Sequence, residues 1–351
     1  MTLHHALPPL PSQSPDTAWP TRKWIRADLP THSQKQRLHD LISDAFEAPV
    51  KPALTGGLSL VVIQDGKLVY DKYANGFGAT DTYPSWSMAK SITHALVGIA
   101  VKQGLLDIYQ PADVDAWQGD GDARKHITLD ALLRMSSGLK FVEDYVDGEE
   151  SDVIKMLYGE GKDNVAAYAA SRPLLSPPDT VCSYASGTTN IIAQCLAKAV
   201  NQAGQEMSEF MSETLFKPIG MMSAMPKFDP SGTFIGSSFC FCSSEDFARF
   251  GLLYLRDGIW AGSRILPEGW VDYGRTPGPV QPDEALGYGA HWWLGMAGPG
   301  SFSANGYQGQ YTLIVPEDDL IVVRNGRSPL EYKDRQRDWT AEIASCFKKA
   351  K

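Results

Sequence analysis

Ser87-Met88-Ala89-Lys90 lies at the boundary between a polar loop and a long apolar segment. Residues three apart on a helix share one face, with about 5–6 Å between their Cβ atoms, so the amine of Lys90 can reach the hydroxyl of Ser87. A serine hydroxyl is a poor nucleophile near pH 7, and a neighbouring lysine held in its neutral form can activate it. The spacing therefore predicts a serine nucleophile with a lysine base.

The same four-residue pattern also occurs at Ser137–Lys140 and Ser345–Lys348. Ser87 differs because apolar residues at helical spacing follow it, which predicts a helix over about residues 87–103 with one buried apolar stripe. Its hydroxyl would lie at the N-terminus of that helix, where the dipole favours a developing negative charge. Ser137 precedes a glycine typical of a helix end, and Ser345 lies in a polar helix tail, so neither is expected to act as a nucleophile.

The overall composition is that of a globular protein. Of the 351 residues, 43% are hydrophobic and 21% are charged, and the net charge is −9. Interspersed charges with an acidic balance argue against nucleic acid or an anionic membrane as a partner. We expect a small-molecule partner, with a homodimer left open as the assembly state.

The chain as given contains no signal peptide and no run of roughly 20 apolar residues, so we expect a cytoplasmic protein without a membrane span. Four prolines precede Pro20, and residues 1–22 are expected to be disordered or extended. The five cysteines lack zinc-ligand spacing and are interpreted as buried, reduced thiols. No metal or cofactor is expected.

The order of the elements predicts the fold class. Apolar strands flank Asp65-Gly66, a strong hairpin signal, and strand-like segments return between residues 288 and 325. Helices and loops dominate the residues between, and a final helix is expected over about 331–348. We therefore predict an α+β fold in which an antiparallel sheet is built from both chain ends and flanked by helices. The α/β lobe would comprise about residues 23–85 and 285–351, with an inserted, mainly helical lobe over about 86–284.

A serine and lysine pair also needs a group that manages the proton of the leaving group. Tyr184-Ala185-Ser186-Gly187 supplies a phenol and a second hydroxyl just before a predicted helix. A cationic lysine within about 4–6 Å would lower the pKa of such a tyrosine. Tyr184 is therefore the expected acid or base.

These motifs carry a family resemblance. The order of Ser87–Lys90, Leu132–Leu139, Tyr184–Gly187 and a glycine-rich final strand resembles the serine β-lactamase and penicillin-binding-protein superfamily. Within it, the chain is most similar to class C-like esterases and 6-aminohexanoate-dimer hydrolases. The resemblance implies a β-lactamase/transpeptidase-like fold, acylation of Ser87, activation by Lys90 and proton relay through Tyr184.

The chain departs from the β-lactamase pattern at one strand. Where β-lactamases have Lys-Thr-Gly, this chain has Ala304-Asn305-Gly306, which provides no cation for the carboxylate of a β-lactam. We therefore expect hydrolysis of esters or linear amides through an acyl-enzyme. A β-lactamase or D-alanyl-D-alanine carboxypeptidase, and a non-catalytic penicillin-recognising sensor, are the alternatives.

The remaining candidates concern substrate binding. The oxyanion is expected to bind backbone N–H groups of Ser87 and of Tyr307 or its neighbour. Tyr145 aligns with a substrate-capping tyrosine of the 6-aminohexanoate-dimer hydrolases, and His291 is either a pocket wall or a sheet residue. The full set of residues expected to bind substrate or the oxyanion is Trp86, Tyr145, Ser186, Ser237, Trp292, Asn305, Gly306, Tyr307 and Gln308.

Overall fold

A computed structural model of the protein describes residues 7–145 and 149–349. The helices are α1 (Lys35–Phe46), α2 (Met88–Lys102), α3 (Leu129–Leu133), α4 (Asp152–Tyr158), α5 (Val165–Ala170), α6 (Ser186–Gln202), α7 (Met207–Met211), α8 (Lys217–Ile219), α9 (Ser244–Leu255), α10 (Trp270–Arg275) and α11 (Lys333–Ser345). The strands are β1 (Gly57–Gln64), β2 (Lys67–Tyr73), β3 (Thr82–Tyr83), β4 (Met225–Pro226), β5 (Cys240–Ser243), β6 (Ile259–Trp260), β7 (Ser263–Arg264), β8 (Gly287–Tyr288), β9 (Trp293–Leu294), β10 (Phe302–Gly306), β11 (Gln310–Val315) and β12 (Leu320–Gly326).

The main sheet joins the two ends of the chain. It has seven antiparallel strands in the order β2-β1-β12-β11-β10-β9-β8. Val61 of the first hairpin lies opposite Val323, and Val322 lies opposite Leu313. The predicted antiparallel sheet built from both chain ends is therefore confirmed.

Helices cover both faces of this sheet. Val61 and Ile63 pack towards α2 and α9, whereas Leu60 and Val62 pack with α1 and α11 on the opposite face. Alternate side chains of a strand point to opposite faces, so β1 and β12 must be apolar on both. Burying one such Val, Leu or Ile side chain contributes about 1.5–3 kcal/mol. Helix α9 thus packs on the sheet, although the predicted helical lobe includes it.

Helix α2 is buried on all sides. The sequence predicts one apolar stripe, but every residue from Met88 to Ala100 is buried. The reason is the position of α2 between the sheet strands β10 and β11 and the long helix α6. Two titratable residues of this helix, Lys90 and His94, are consequently placed in the interior.

A small second sheet fixes the loop that leads into α2. It has the order β3-β5-β4, with Tyr83 opposite Cys242. Cys240 and Cys242 lie on β5, and all five cysteines are free thiols. Four of them are buried, whereas Cys182 is only half-buried.

The described part of the N-terminal segment, residues 7–22, contains neither helix nor strand. It nevertheless packs on the protein, because Arg256 Nε donates to Gln13 Oε1 over 2.9 Å and Arg275 Nη2 donates to the Pro8 carbonyl over 2.7 Å. Residues 1–6 lie outside the described residues. Within residues 7–145 and 149–349, no helix has both the length and the apolar character to cross a membrane.

Candidate active site

Ser87 lies at the N-terminal cap of α2, and its side chain does not bond to the backbone of that helix. The preceding Trp86 has a positive φ of 44°, a costly conformation for a bulky residue that is typical of functional sites. Ser85 fixes this loop, because its hydroxyl donates to the Ser238 carbonyl over 3.1 Å and accepts from Cys240 N over 2.9 Å. The fold thus places the Ser87 hydroxyl at a helix N-terminus without using it to cap that helix.

Lys90 extends from the next turn into a closed environment. Its side chain is 1% exposed, and Nζ lies 2.9 Å from Ser87 Oγ, 3.0 Å from Ser186 Oγ and 3.0 Å from the Ser237 carbonyl oxygen. Burial lowers the pKa of Lys90 to about 8, while the nearby Glu143 acts in the opposite direction. This depression is in the direction that a base near neutral pH requires.

Tyr184 lies two residues before α6, with its ring 4.8 Å from Lys90 Nζ and its hydroxyl facing Ser87 and Trp293. Burial, followed by the charge of Glu143, raises the pKa of Tyr184 far above its usual value. The expectation that a cationic lysine lowers this pKa is therefore wrong. Desolvation by burial raises this pKa instead, so Tyr184 is a neutral phenol at neutral pH.

Glu143 is a site residue that the sequence interpretation missed. Its Oε1 accepts hydrogen bonds from Ser186 Oγ over 2.6 Å and from the Tyr145 hydroxyl over 3.0 Å, and its Oε2 accepts from Ser186 N over 2.7 Å. Glu143 lies in a loop whose sequence has neither helical nor strand periodicity. Its position two residues before Tyr145, a predicted binding residue, was the only sequence feature that could have indicated it. Folding brings it within reach of α6, 43 residues later in the chain.

The pocket in front of Ser87 has a volume of about 320 Å³. The predicted binding residues that line it are Tyr145, Asn305, Gly306, Tyr307 and Gln308. Tyr145 and Tyr307 stack with ring centroids 4.7 Å apart. Trp86 packs edge-on against both rings and is absent from the lining, so it supports the aromatic wall from behind.

Three other predicted binding residues have different positions. Trp292 is fully buried against Phe250 and Tyr254, and the neighbouring Trp293 lines the pocket in its place. The prediction for Trp292 is wrong: this residue precedes β9 and packs into the core against Phe302, whereas Trp293, the first residue of β9, faces the pocket. Ser186 and Ser237 are also buried; the first contacts Lys90 through its hydroxyl and the second through its carbonyl.

His94 of α2 and the candidate pocket-wall residue His291 are both buried. His94 Nδ1 contacts the Tyr254 hydroxyl over 2.7 Å, which satisfies it within the core. His291 Nδ1 lies 2.7 Å from the Leu133 carbonyl, so it must donate, and Nε2 lies 2.8 Å from Thr189 Oγ1. Both residues are absent from the pocket lining, and burial lowers both pKa values.

The cations nearest to the pocket lie at its end formed by α11. Lys333 and Arg337 line that end. Arg324 is buried behind the wall, where Nη2 donates to Ser328 Oγ over 2.8 Å, and Arg275 pairs with Asp272 outside the pocket. The serines of the other two Ser-x-x-Lys matches do not line the pocket, and the hydroxyls of Ser137 and Ser345 hydrogen-bond to nearby backbone groups.

Comparisons with known proteins agree with this architecture. The model of the family described as Beta-lactamase matches residues 43–345. A 6-aminohexanoate-dimer hydrolase of Paenarthrobacter ureafaciens is 24% identical over 336 residues, which cover 88% of this chain and 79% of that protein.

Solved structures show the same fold. A provisional 6-aminohexanoate-dimer hydrolase from Bacillus anthracis aligns with a TM-score of 0.74 at 20% identity, covering 97% of this chain and 90% of that one. A penicillin-binding protein from Bacillus halodurans aligns with a TM-score of 0.67 at 16% identity, covering 88% of this chain and all of that one (100%). The predicted superfamily resemblance and fold class are confirmed.

Proposed function

Because this chain belongs to the Beta-lactamase family, we propose that it is a serine hydrolase that cleaves ester or linear amide bonds through an acyl-enzyme on Ser87. The observation that carries the proposal is the 2.9 Å contact between Lys90 Nζ and Ser87 Oγ inside a buried environment. A nucleophile and its base must be within hydrogen-bonding reach, and this pair is.

Acylation begins with transfer of the Ser87 proton to Lys90. A pKa of about 8 leaves about one tenth of Lys90 neutral at pH 7, so a base is available without a large change in pH. As Nζ takes the proton, Ser87 Oγ forms a bond to the substrate carbonyl carbon, and the carbonyl π electrons move to its oxygen. Lys90 becomes an ammonium near the negative charge that develops.

The oxyanion would bind the backbone N–H groups of Ser87 and Tyr307. Gly306, at the end of β10, lies so close to the loop before Ser87 that an added Cβ would be 2.4 Å from the Ser85 carbonyl oxygen. This close approach puts the next residue, Tyr307, beside Ser87. Two preorganised N–H donors of this kind stabilise a tetrahedral intermediate, each contributing about 2.7–4 kcal/mol.

Tyr184 is the acid for the leaving group. Its raised pKa keeps the phenol protonated, and its hydroxyl faces Ser87. When the intermediate collapses, the bond from carbon to the leaving oxygen or nitrogen breaks and that atom takes the phenol proton. Lys90 then returns its proton to Tyr184, so that both groups are neutral in the acyl-enzyme. In deacylation the same proton transfers run in reverse. Water attacks the acyl carbonyl carbon and passes a proton through Tyr184 to Lys90, and the bond to Ser87 Oγ then breaks. Ser87 takes the proton back from Lys90, and the carboxylic acid product leaves.

The substrate class is an uncharged acyl chain in an ester or linear amide. Tyr145 and Tyr307 provide an aromatic wall, and β10 carries Asn305 and Gly306 without a preceding lysine. The Paenarthrobacter relative is named a 6-aminohexanoate-dimer hydrolase, and the bond that joins two amino-acid units is an amide. A β-lactamase or carboxypeptidase is disfavoured by the missing lysine, and a non-catalytic sensor by the presence of Ser87, Lys90 and Tyr184 together.

Ser87→Ala tests this proposal. We expect the variant to lose turnover of p-nitrophenyl esters and to unfold at the same temperature as the wild type, because only the hydroxyl can carry the acyl group. A fluorophosphonate should give one adduct, located by mass spectrometry on the peptide containing Ser87. Ser137→Ala is the matched control and should remain active. An adduct on Ser137 or Ser345, or activity in Ser87→Ala, would contradict the assignment.

A further inference from the structure

The hydrogen bonds around Lys90 have directions that can be deduced atom by atom. Glu143 accepts from Ser186 Oγ over 2.6 Å, from Ser186 N over 2.7 Å and from the Tyr145 hydroxyl over 3.0 Å. An ionised carboxylate has no proton to give, so the Ser186 hydroxyl must use its one hydrogen towards Glu143. The lone pairs of Ser186 Oγ are then what it offers to Lys90.

Lys90 must therefore donate to two of its three neighbours. Ser186 Oγ, at 3.0 Å, has no hydrogen left, and the carbonyl oxygen of Ser237, also at 3.0 Å, can only accept. A neutral amine has two hydrogens, and both are used by these contacts. What remains on Nζ is the lone pair, directed at the third neighbour, Ser87 Oγ, at 2.9 Å.

We propose that Glu143 is a positioning residue that acts through Ser186 to aim the lone pair of Lys90 at the hydroxyl of Ser87. The inference rests on the proposed function, because it concerns the proton transfer that begins acylation. If Glu143 were absent, the Ser186 hydroxyl could rotate and donate to Lys90 itself. The lone pair would then be occupied, and the amine would compete for Ser87 as a donor.

Glu143 has a second effect on the same proton transfer. When Lys90 takes the Ser87 proton it becomes an ammonium, and the negative charge of Glu143 stabilises that form. The other titratable groups that face Lys90 are Tyr184, a neutral phenol, and His291, which burial keeps neutral. The carboxylate thus both orients the base and offsets the charge that the base acquires.

The test combines Glu143→Gln, Ser186→Ala and the double variant. For each, kcat and KM are measured on a p-nitrophenyl ester between pH 5.5 and 10, together with the rate of fluorophosphonate labelling of Ser87. We expect Glu143→Gln to lower kcat and the labelling rate by at least about tenfold while KM changes by less than about threefold. The acid limb of the pH profile is the range in which kcat rises as Lys90 loses its proton. Because the charge that stabilises the Lys90 ammonium is lost, this limb should move to lower pH by at least about half a unit.

Ser186→Ala separates the two effects. This variant should lose a similar factor in kcat but keep the acid limb near its wild-type position, since the charge of Glu143 remains. The double variant should lose little more than either single variant, because the two residues act as one unit. Glu160→Gln, at an exposed carboxylate outside the pocket, is the control and should match the wild type.

Several results would overturn the inference. The first is a Glu143→Gln variant with full kcat and an unmoved acid limb. The second is a change in KM alone, and the third is a double variant in which the losses of the two single variants multiply. If Glu143→Gln does not fold, Ser186→Ala decides, and full activity in that variant rejects the orientation through Ser186. Wild-type protein in which fluorophosphonate does not label Ser87 would reject the proposed function itself, whereas normal labelling with unaffected variants rejects only the role of Glu143.

Discussion

At the scale of single residues, the site depends on removing Lys90 from water. A lysine exposed on a surface is protonated near pH 7 and cannot accept a proton, whereas burial disfavours its charged form and lowers its pKa to about 8. The same burial raises the pKa of Tyr184 and keeps it a neutral phenol. One physical cause, desolvation, thus gives the base and the acid of the proposed reaction their opposite roles.

Lys90→Arg and Lys90→Met should both lower kcat by about 10²–10⁴, the usual contribution of a general base. A guanidinium does not release its proton at working pH, so keeping the positive charge does not rescue activity. The methionine side chain is similar in length to that of lysine but has no amine to bury. Lys90→Met should therefore unfold at a temperature no lower than that of the wild type. If Lys90→Arg keeps a tenth or more of wild-type kcat, Lys90 is not the base.

The pH dependence follows from the neutral form of Lys90 being the active one. Its pKa of about 8 in the folded protein means that kcat/KM should rise as the pH increases through about 8 and then level off. The measurement is kcat/KM on a p-nitrophenyl ester from pH 6 to 10, corrected for spontaneous hydrolysis. A rate that is constant from pH 6 to 9 would exclude titration of Lys90 from the reaction.

At the scale of elements, α2 determines where the nucleophile and base lie. The helix is buried between the sheet and α6, and its position is set by packing at Gly98, where an added Cβ would lie 2.3 Å from Trp270 Nε1. Trp270 cannot easily move, because Nε1 donates to the His94 carbonyl over 3.1 Å. The close approach of α10 to α2 therefore requires glycine at this position.

Gly98→Ala should destabilise the protein by about 1–3 kcal/mol through overpacking. This sign is opposite to the usual gain of about 1 kcal/mol when alanine replaces glycine inside a helix. Gly119→Ala is the control, since an added Cβ there meets nothing within 4 Å, and its effect should be within about 0.5 kcal/mol. Urea unfolding followed by tryptophan fluorescence measures both. A stabilised Gly98→Ala variant would show that α10 moves away without cost.

At the scale of the whole molecule, the pocket is assembled from distant parts of the chain. Ser87 comes from α2, Tyr184 precedes α6, Tyr307 follows β10, and Lys333 begins α11. The end near Ser87 has the stacked rings of Tyr145 and Tyr307 beside Glu143, and the end near α11 carries Lys333 and Arg337 with Asp334 between them in the chain. Neither Arg275 nor Arg324 lines the pocket, so neither replaces the strand lysine of the β-lactamases.

Short-chain esters should therefore be hydrolysed faster than nitrocefin. A hydrogen bond to a charged group contributes about 1.5–3 kcal/mol, so its loss corresponds to roughly one to two powers of ten in kcat/KM. The measurement compares kcat/KM for p-nitrophenyl butyrate and nitrocefin on the same protein sample. Faster turnover of nitrocefin would restore the β-lactamase assignment, and Lys333→Ala would then show whether that lysine holds the carboxylate.

The secondary-structure elements and the order of the motifs can be predicted from local sequence patterns. Hairpin signals around Asp65-Gly66 and the apolar segments at both chain ends were enough to predict the antiparallel sheet, because alternation and turn chemistry are local properties. The spacing of Ser87 and Lys90 within one helical turn is local as well. These features need no knowledge of which parts of the chain meet.

The surroundings of those residues depend on how the chain folds. Glu143 reaches Ser186 across 43 residues, Trp293 rather than Trp292 faces the pocket, and Tyr184 has a raised rather than a lowered pKa. Hydrogen-bond partners, sidedness and desolvation all depend on atoms that are distant in sequence, and no local pattern encodes their positions. Burial in particular is a property of the assembled interior, and here it sets the protonation states on which the proposed chemistry depends.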